Sequence, residues 1–462
     1  MTDRRNFLLG AGSCGIGLAV PARAAAPHGL IIENVTVLAM TGAAPIPNAS
    51  VLVTGGRIAA IPTGPATTRR GHQRIDASGK YLMPGLTDAH AHLEADDLLA
   101  YFFAAMKVDL KPLPVRTQDA VLPYLANGVL QLFNLAATPD GFKQKREIAS
   151  GAVLGPRIVS AAMIDGAGPS WPEGMTRIAR NAEEGRAAVR QAVAGGYQMI
   201  KPYSALDLET FTAIVDEARK LNLPVAGHIP GREKGITEKF FQPGFGMVAH
   251  AEEFAQHTKL PDVAAIPRYV DMARSSGTGL IATLSLDERL LEQVRDPESL
   301  KARSELIYLH PSARRVALHH NPYVARRSPG FIAHLERIVA FNRVLVKAFA
   351  DAGIPILTGT DSGVPGMAPG FSLHDEMAAL VAAGLTNEQA LMAATAAPGA
   401  WLKNQTGTVA VGQHADLVML DADPLADIAN TRKIAGIVVG GRHVARAELD
   451  RRMAALAARQ AL

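Results

Sequence analysis

The stretch LMPGLTDAHAHL, residues 82–93, is a compact apolar run that ends in two histidines. Seven further apolar runs follow it, separated by amphipathic segments such as 208–221 and 340–352. Buried parallel strands that alternate with crossover helices give this pattern. It predicts an α/β fold, a TIM-like (β/α)8 barrel of eight strands. The other seven runs are residues 128–135, 156–164, 197–203, 223–230, 245–254, 279–286 and 354–363.

Short β-prone pieces flank the central pattern on both sides. They occupy residues 27–84 and 402–445, where turn residues separate alternating apolar positions. Two strand-rich flanks around an α/β middle predict a small β-sandwich built from both chain ends, with the barrel inserted at 85–401. A helix is expected at 446–462. The charged stretch 296–337 is expected to form an inserted helical lid or surface excursion.

The composition narrows the class of protein. A chain of 462 residues with 48% hydrophobic and 19% charged residues is typical of a soluble globular protein. Its formal net charge of +4 comes from scattered basic residues, so we expect no nucleic-acid partner. Past the N-terminus no segment is long and apolar enough to span a bilayer, so no membrane association is expected of the mature form. We expect a small-molecule substrate and a homo-oligomer.

Residues 1–26 have the layout of a cleavable twin-arginine signal peptide. Arg4 and Arg5 precede an apolar run of small residues, and an Ala-Arg-Ala site follows at 22–24. The pattern predicts export and a periplasmic or secreted mature protein. The one cysteine of the chain, Cys14, lies inside this signal. Disulfides and thiolate catalysis are therefore not expected in the mature protein.

Metal-capable side chains fall at the ends of the predicted strands. His90 and His92 are two residues apart, and alternation along a strand turns both side chains to the same side. An isolated pair of this kind would be unremarkable. Four more such residues stand at the ends of the fourth, fifth, sixth and eighth strands, and in this fold those ends converge on one face. They are Lys201, His228, His250 and Asp361.

The motifs around these residues resemble those of the amidohydrolase superfamily, in particular its imidazolonepropionase-like and prolidase-like (Xaa-Pro dipeptidase-type) members. The motifs are GLTDAHAHL, MIKPYSAL, VAGHIPG, VAHAEEF and TGTDSG, and the resemblance covers essentially the whole mature chain. It implies a metal-dependent hydrolase in which Lys201 is carboxylated by CO2 to N6-carboxylysine. A carbamate supplies the anionic oxygens that divalent ions prefer, whereas an ammonium group would repel them.

The resemblance also implies how two divalent ions are held. The first ion would be held by His90, His92, Lys201 and Asp361. The second ion would be held by Lys201, His228 and His250. Zinc is the first choice for imidazole and carboxylate ligands, and manganese or cobalt would also fit them. The two ions would lie about 3.5–4 Å apart with a hydroxide between them.

Catalytic and substrate-binding roles follow from the same positions. The hydroxide would attack a carbonyl carbon, and Asp361 would accept a proton and pass it to the leaving amine, unless it is a metal ligand only. Tyr203 faces the same side as Lys201 and could donate its hydroxyl to the developing oxyanion, or pack at the pocket wall. Trp171 could contact an apolar substrate group or pin its own loop. His374 could contact substrate from the helix after the eighth strand, or pack there.

The expected reaction is hydrolysis of an amide bond in a small molecule, such as a dipeptide or an N-acyl or aryl-linked amino acid. Lactone or ester hydrolysis stays open, because the same centre attacks either type of carbonyl. A mononuclear deaminase or an imidazolone-ring hydrolase would lack the bridging lysine, so Lys201 argues against both. A metal-free binding protein would be expected to lose ligand residues, and here the full set is present.

Overall fold

The computed structural model describes residues 29–66, 71–169, 171–257 and 260–461. The expected signal peptide, residues 1–26, lies outside the described residues. Among the described helices, none combines the length and the apolar composition that crossing a membrane requires.

The described residues form 17 strands and 16 α-helices. The strands are β1 Gly29–Val37, β2 Ile46–Thr54, β3 Arg57–Ala60, β4 His72–Asp76, β5 Tyr81–Pro84, β6 Leu86–Ala91, β7 Val129–Asn134, β8 Arg157–Asp165, β9 Arg177–Ile178, β10 Met199–Pro202, β11 Ala226–Gly227, β12 Met247–Ala249, β13 Gly279–Ile281, β14 Ile356–Leu357, β15 Leu417–Leu420, β16 Ile434–Val439 and β17 Arg442–Ala445. The first eight helices are α1 Asp96–Ala105, α2 Thr117–Ala126, α3 Pro139–Ala149, α4 Ala182–Ala194, α5 Leu208–Lys220, α6 Thr237–Phe240, α7 Glu252–Gln256 and α8 Ile266–Ser276. The others are α9 Leu284–Arg295, α10 Pro311–His319, α11 Pro322–Ala325, α12 Pro329–Asp351, α13 Phe371–Ala382, α14 Asn387–Ala394, α15 Ala396–Leu402 and α16 Arg446–Gln460.

Parallel strands alternate with helices through the middle of the chain, as the sequence predicts. Strands β6, β7, β8 and β10 form one parallel sheet, to which the short β9 is added, and β11 to β14 form a second. Within the described residues the pairing does not run as one unbroken barrel sheet. Isolated parallel bridges cross both seams, one from Ile200 to Val225 and one from Ala91 to Ser362.

The two sheets share one hydrophobic interior. A single cluster of buried apolar side chains receives at least one residue from each of the eight parallel strands. A shared interior of this kind holds the strands in a fixed order, so that their carboxyl ends lie at the same side of the molecule. The strand residues of the cluster are Ala89, Phe133, Val159, Ala161, Met199, Ala226, Met247, Ile281 and Leu357.

The strand-rich flanks of the chain pair with each other. β15 runs antiparallel to β5, so the C-terminal flank extends the sheet that the N-terminal flank begins. The sequence predicts a β-sandwich from both chain ends, and the structure joins these strands into one hydrogen-bonded network of eight strands. The reason lies in β1, which pairs with β4 over its first half and with β5 near its end. A register shift between Ile32 and Val35, with Asn34 at a φ of 58°, bends the strand between the two partners.

Two element boundaries differ from the sequence prediction. The sequence predicts the seventh strand at 279–286, but β13 ends at Ile281 because Thr283 adopts a φ of 50° and α9 begins directly after it. The helix expected at 340–352 starts earlier, since α12 begins at Pro329 behind the N-cap Ser328. The excursion over 296–337 contains short helices as expected, and its last residues belong to α12.

Candidate metal centre

Lys201 and His228 lie at strand ends, directly above the apolar interior of the two sheets. Met199 and Ala226 belong to the interior cluster, and Lys201 and His228 follow them by two residues each. Alternate residues of a strand lie on the same face. Lys201 and His228 therefore lie on the same strand faces as Met199 and Ala226, just beyond the apolar interior.

His250 and Asp361 are placed by unusual backbone conformations. Their φ angles are 77° and 54°, in the left-handed region that few residues other than glycine adopt. Strained positions of this kind are concentrated at functional sites. Gly359 permits a close approach nearby, because a Cβ at this position would lie 2.8 Å from His90 Cβ and 2.5 Å from Ile281 Cγ2.

Three of the predicted ligands already form a compact metal-binding geometry. His92 Nε2 lies 2.8 Å from Asp361 Oδ1, and His90 Nε2 lies 3.3 Å from the same oxygen. The ligand atoms of the three residues all fall within 4.8 Å of one another. Imidazole nitrogens and a carboxylate oxygen at this spacing fit a divalent transition metal.

The other three predicted ligands surround this group. Lys201 Nζ lies 3.2 Å from His90 Nε2, and the His250 ring centroid is 4.4 Å from that of His90. The ring centroid of His228 is 5.1 Å from that of His250. The structure therefore brings all six predicted residues together, and none of them is left elsewhere in the fold.

Two of the histidines are oriented by neighbours that sequence reasoning missed. Glu253 Oε1 lies 3.0 Å from His228 Nδ1, and Thr283 Oγ1 lies 2.9 Å from His250 Nδ1. These contacts engage Nδ1 and leave Nε2 of each ring as the atom for a ligand bond. Glu253 belongs to the motif VAHAEEF, close to His250 in sequence, and this proximity could have identified it as a neighbour of the predicted ligands.

Asp88 is a second residue that the sequence reasoning missed. Its Oδ1 accepts hydrogen bonds from the backbone N–H groups of His90 at 3.2 Å and Thr360 at 3.1 Å, and its Oδ2 accepts from Thr360 Oγ1 at 2.6 Å. It is fully buried. Asp88 thus ties strand β6, which carries His90, to the segment after β14 that carries Asp361. The alternation that pairs His90 with His92 extends back to Asp88 and could have identified it.

The pKa shifts of these side chains favour the protonation states that bind metal. Burial lowers the pKa of all four histidines, to about 3 for His250, so the imidazoles are neutral. Burial also lowers the pKa of Lys201 to about 8. Burial opposes ionisation of Asp361, but His90 and His92 outweigh it and hold the pKa of this carboxyl well below its usual range. Neutral imidazoles and an ionised carboxylate are the states that bind metal.

A cavity of about 450 Å³ opens above these residues. One of its walls is apolar and aromatic. The rings of Phe102 and Trp171 pack at a centroid distance of 5.3 Å, and three methionines complete this wall. A wall of this composition suits an apolar or aromatic substrate group. The methionines are Met106, Met163 and Met175.

Tyr203 lies between the aromatic wall and the centre, as the sequence predicts. Its hydroxyl oxygen accepts a hydrogen bond from Trp171 Nε1 at 2.8 Å, and its ring centroid lies 4.1 Å from that of His228. Burial raises the pKa of the phenol above its ordinary value, so the hydroxyl keeps its proton. Since the hydroxyl accepts from Trp171, its own proton stays available for another acceptor.

The expected substrate contact of His374 is corrected by the structure. His374 is buried on α13, where Nδ1 lies 2.9 Å from Thr431 Oγ1 and Nε2 lies 3.1 Å from the carbonyl oxygen of Asn127. Both ring nitrogens are engaged within the protein, and the residue does not line the cavity. Its role is packing between α13 and the C-terminal flank.

Other residues that line the cavity come from helices α7, α9, α11 and α12. α9, α11 and α12 contribute Leu286, Asp287, Tyr323 and other side chains, and Glu252 joins them from α7. Burial raises the pKa of Glu252 to about 7. Burial, together with the nearby Glu252, raises the pKa of Asp287 well above its usual range.

Comparison with known proteins places the chain in a family. The model of the amidohydrolase family matches residues 81–444, which include the whole centre described above. The chain belongs to the amidohydrolase family. This membership confirms the resemblance that the motifs indicated, and it supports a hydrolase that acts on carbon–nitrogen bonds and uses divalent metal.

Amidohydrolases of several kinds resemble the chain. It is 23% identical to ochratoxinase of Aspergillus niger over 397 residues, 75% of the chain and 71% of that protein. It is 37% identical to adenine deaminase of Rubrobacter xylanophilus over 93 residues, which are 19% of the chain and only 14% of the deaminase. A solved Xaa-Pro dipeptidase with methionine in its active site superposes with a TM-score of 0.68 at 18% identity, covering 90% of the chain and 99% of the dipeptidase. At that identity, the structural likeness shows the fold alone.

Proposed function

We propose that the chain is a binuclear metal-dependent hydrolase that cleaves an amide bond of a small molecule. The observation that carries this proposal is the convergence of the ligand atoms of His90, His92 and Asp361 within 4.8 Å of one another, with Lys201 beside them and with His92, Lys201 and Asp361 lining the cavity. The shared interior cluster and the bridges across both seams support, in the same proposal, two parallel sheets that close into one (β/α)8 barrel.

Two divalent ions, zinc by preference, fit the donors of this centre. One ion would be held by His90, His92, Lys201 and Asp361. The other would be held by Lys201, His228 and His250. The proposal requires Lys201 to carry a CO2-derived carbamate, and its buried amine with a pKa of about 8 has a substantial neutral fraction that can attack CO2. Bound divalent ions would supply Lewis-acid activation of water and of the substrate carbonyl.

The protein's own side chains would handle the proton and the developing charge. Asp361 would accept a proton from the attacking water and return it to the leaving nitrogen, a role supported by its ionised state and its contacts with His90 and His92. Tyr203 has a hydroxyl proton available on the cavity side and would donate it to the carbonyl oxygen as negative charge develops there.

The cavity supports a substrate with one apolar or aromatic arm. Trp171 and Phe102 form the matching wall, and a volume of about 450 Å³ suits a dipeptide or an N-acyl or aryl-linked amino acid. The names of the Xaa-Pro dipeptidase and ochratoxinase relatives are consistent with small-molecule substrates. Ester, lactone or cyclic-amide hydrolysis is the second candidate, because the same groups could act on any of these carbonyls.

A substrate screen tests the proposal. The full chain loaded with zinc or manganese is incubated with dipeptide pools, N-acyl amino acids and aryl amides, alongside matched esters, lactones and cyclic amides. We expect turnover of open-chain amides, and loss of it in Asp361→Asn. Turnover of esters, lactones or cyclic amides alone would favour the second candidate. A fully metal-loaded chain that is inert towards all of them would favour a binding protein.

Export and assembly are part of the proposal. The twin-arginine pattern at residues 1–26 supports delivery of a folded, metal-loaded enzyme to the periplasm or medium, where we propose that it acts as a homo-oligomer without a membrane or nucleic-acid partner. Replacing Arg4 and Arg5 with lysines should retain the protein in the cytoplasm. Unchanged export of that variant would contradict this route.

A further inference from the structure

Two carboxyl groups line the cavity beside the proposed metal centre without taking part in it. Glu252 begins α7, two residues after His250, and Asp287 lies in the first turn of α9. Only 2% of the surface of Asp287 is exposed. The two acids line the same cavity as Phe102 and Trp171, so a molecule bound over the centre can contact both the acids and the aromatic wall.

The hydrogen bonding of Asp287 is incomplete within the protein. Asn342 Nδ2 donates to Asp287 Oδ2 at 2.8 Å, whereas Asp287 Oδ1 has no donor among the described residues. The carboxyl group of Glu252 lies in hydrogen-bond contact with that of Asp287, so the pair must either share a proton or bind a cation. A buried carboxylate oxygen that lacks a donor is unfavourable, and proteins normally pair it with a cation or a hydrogen-bond donor.

Among the described residues, no cationic side chain performs that role. In the described part of the chain, no lysine, arginine or histidine nitrogen lies within 4.0 Å of the carboxylate oxygens of Glu252 or Asp287. Arg326 also lines the cavity, but its guanidinium lies over the ring of Phe331, 4.5 Å from the ring centroid. α7 and α9 therefore present two acidic groups to the cavity, and the described part of the chain supplies no basic partner within 4.0 Å of them.

We propose that Glu252 and Asp287 form a subsite that binds a positively charged group of the substrate, a primary ammonium or a guanidinium. This inference rests on the proposed function and narrows its substrate class. The substrate would be an amide with an apolar or aromatic arm against Phe102 and Trp171 and a basic arm against the acidic pair. An ammonium or guanidinium group supplies several N–H donors, enough for Asp287 Oδ1 and for Glu252 together.

Binding of a matched pair of compounds tests the subsite without turnover. The probes are 6-phenylhexylamine and 6-phenylhexanol, which have similar shape and differ in charge, titrated by calorimetry into the full chain loaded with zinc. We expect the amine to bind at least tenfold more tightly than the alcohol. Asp287→Asn and, separately, Glu252→Gln should each remove most of that preference while leaving binding of the alcohol within about threefold.

Each possible result of these titrations either supports or overturns the proposed subsite. Equal binding of amine and alcohol to the wild-type chain would overturn it, and so would a preference that persists in both variants; the acids would then be a structural contact between α7 and α9. If one variant fails to fold, the comparison of amine and alcohol binding to the wild-type chain and to the other variant still tests the subsite. A chain that prefers the amine but cleaves no amide would retain the subsite and refute the proposed function, so the two failures are distinguishable.

Discussion

Asp88 offers the sharpest test of how the fold positions the centre. Replacing it with alanine would remove the acceptor for three buried donors, the backbone N–H groups of His90 and Thr360 and the Thr360 hydroxyl. An unsatisfied buried donor costs about 1–3 kcal/mol, and the three losses overlap because two belong to one residue. We therefore expect Asp88→Ala to lower the free energy of unfolding by about 3–5 kcal/mol in urea denaturation.

Metal affinity gives the second readout of the same variant. Since Asp88 ties strand β6, which carries His90, to the segment that carries Asp361, its loss should weaken zinc binding about 10–100-fold, as measured by competition with a chelator. Asp88→Asn keeps one acceptor oxygen for the two backbone N–H groups. Burial raises the pKa of Asp88 to about 7, so part of the population already carries a neutral side chain at neutral pH. We expect this variant to lose only about 1 kcal/mol.

Thr358→Val is the matched control. Thr358 is equally buried, and its hydroxyl donates to the carbonyl oxygen of Thr87 at 3.0 Å across the same seam. This variant should lose stability with its zinc affinity unchanged. The reasoning would be refuted if Asp88→Ala kept wild-type stability and zinc affinity, or if Thr358→Val weakened zinc binding to the same extent.

Three further predictions concern single side chains. Tyr203→Phe should lower kcat about 100-fold with little change in KM, because the lost hydroxyl stabilises charge that develops only during reaction; an unchanged kcat would assign the ring to packing. Gly359→Ala should destabilise the fold by about 2 kcal/mol and weaken metal binding, since the added Cβ meets Ile281 and His90; wild-type denaturation and zinc titration curves would contradict this. Burial lowers the pKa of His374 to about 3, so below pH 6.5 the unfolded chain takes up a proton that the folded chain does not. Between pH 7 and pH 5 this should reduce the free energy of unfolding by about 2 kcal/mol, and His374→Gln should lack that part of the pH dependence. Parallel denaturation profiles for the two proteins would disprove it.

The strand order and the gathering of the six ligand candidates could be predicted from sequence because both depend on local patterns. An apolar run followed by a metal-capable residue marks where a parallel strand ends, and the fold brings those ends to one face. Lys201 and His228 show the principle, since each lies two residues past a strand residue of the apolar interior.

The sequence predictions were wrong where the structure depends on contacts between residues that are distant in sequence. The seventh apolar run looked continuous to residue 286, but Glu376 on α13 accepts from the backbone N–H of Ser285 at 2.7 Å and favours a helix start there. His374 carries a polar ring near the last strand, yet partners distant in sequence, Thr431 and Asn127, engage both of its nitrogens. Contacts of this kind are tertiary and leave no local periodicity.

The residues that orient the ligands were only partly accessible to sequence reasoning. Asp88 and Glu253 stand inside the motifs, so spacing could have pointed to them. Thr283 could not be found in this way, because its contact with His250 depends on a positive φ at the end of β13. Glu252 is equally visible in the sequence, but its partner Asp287 lies 35 positions away on another helix.

The number of metal ions per chain tests the central claim most directly. Full-length protein, reconstituted with zinc in the presence of bicarbonate and freed of excess metal, is analysed by inductively coupled plasma mass spectrometry. The six-residue centre with a carboxylated Lys201 predicts two zinc ions per wild-type chain and at most one in Lys201→Met. A wild-type chain that holds no more than one ion, or a Lys201→Met variant that keeps two, would contradict it.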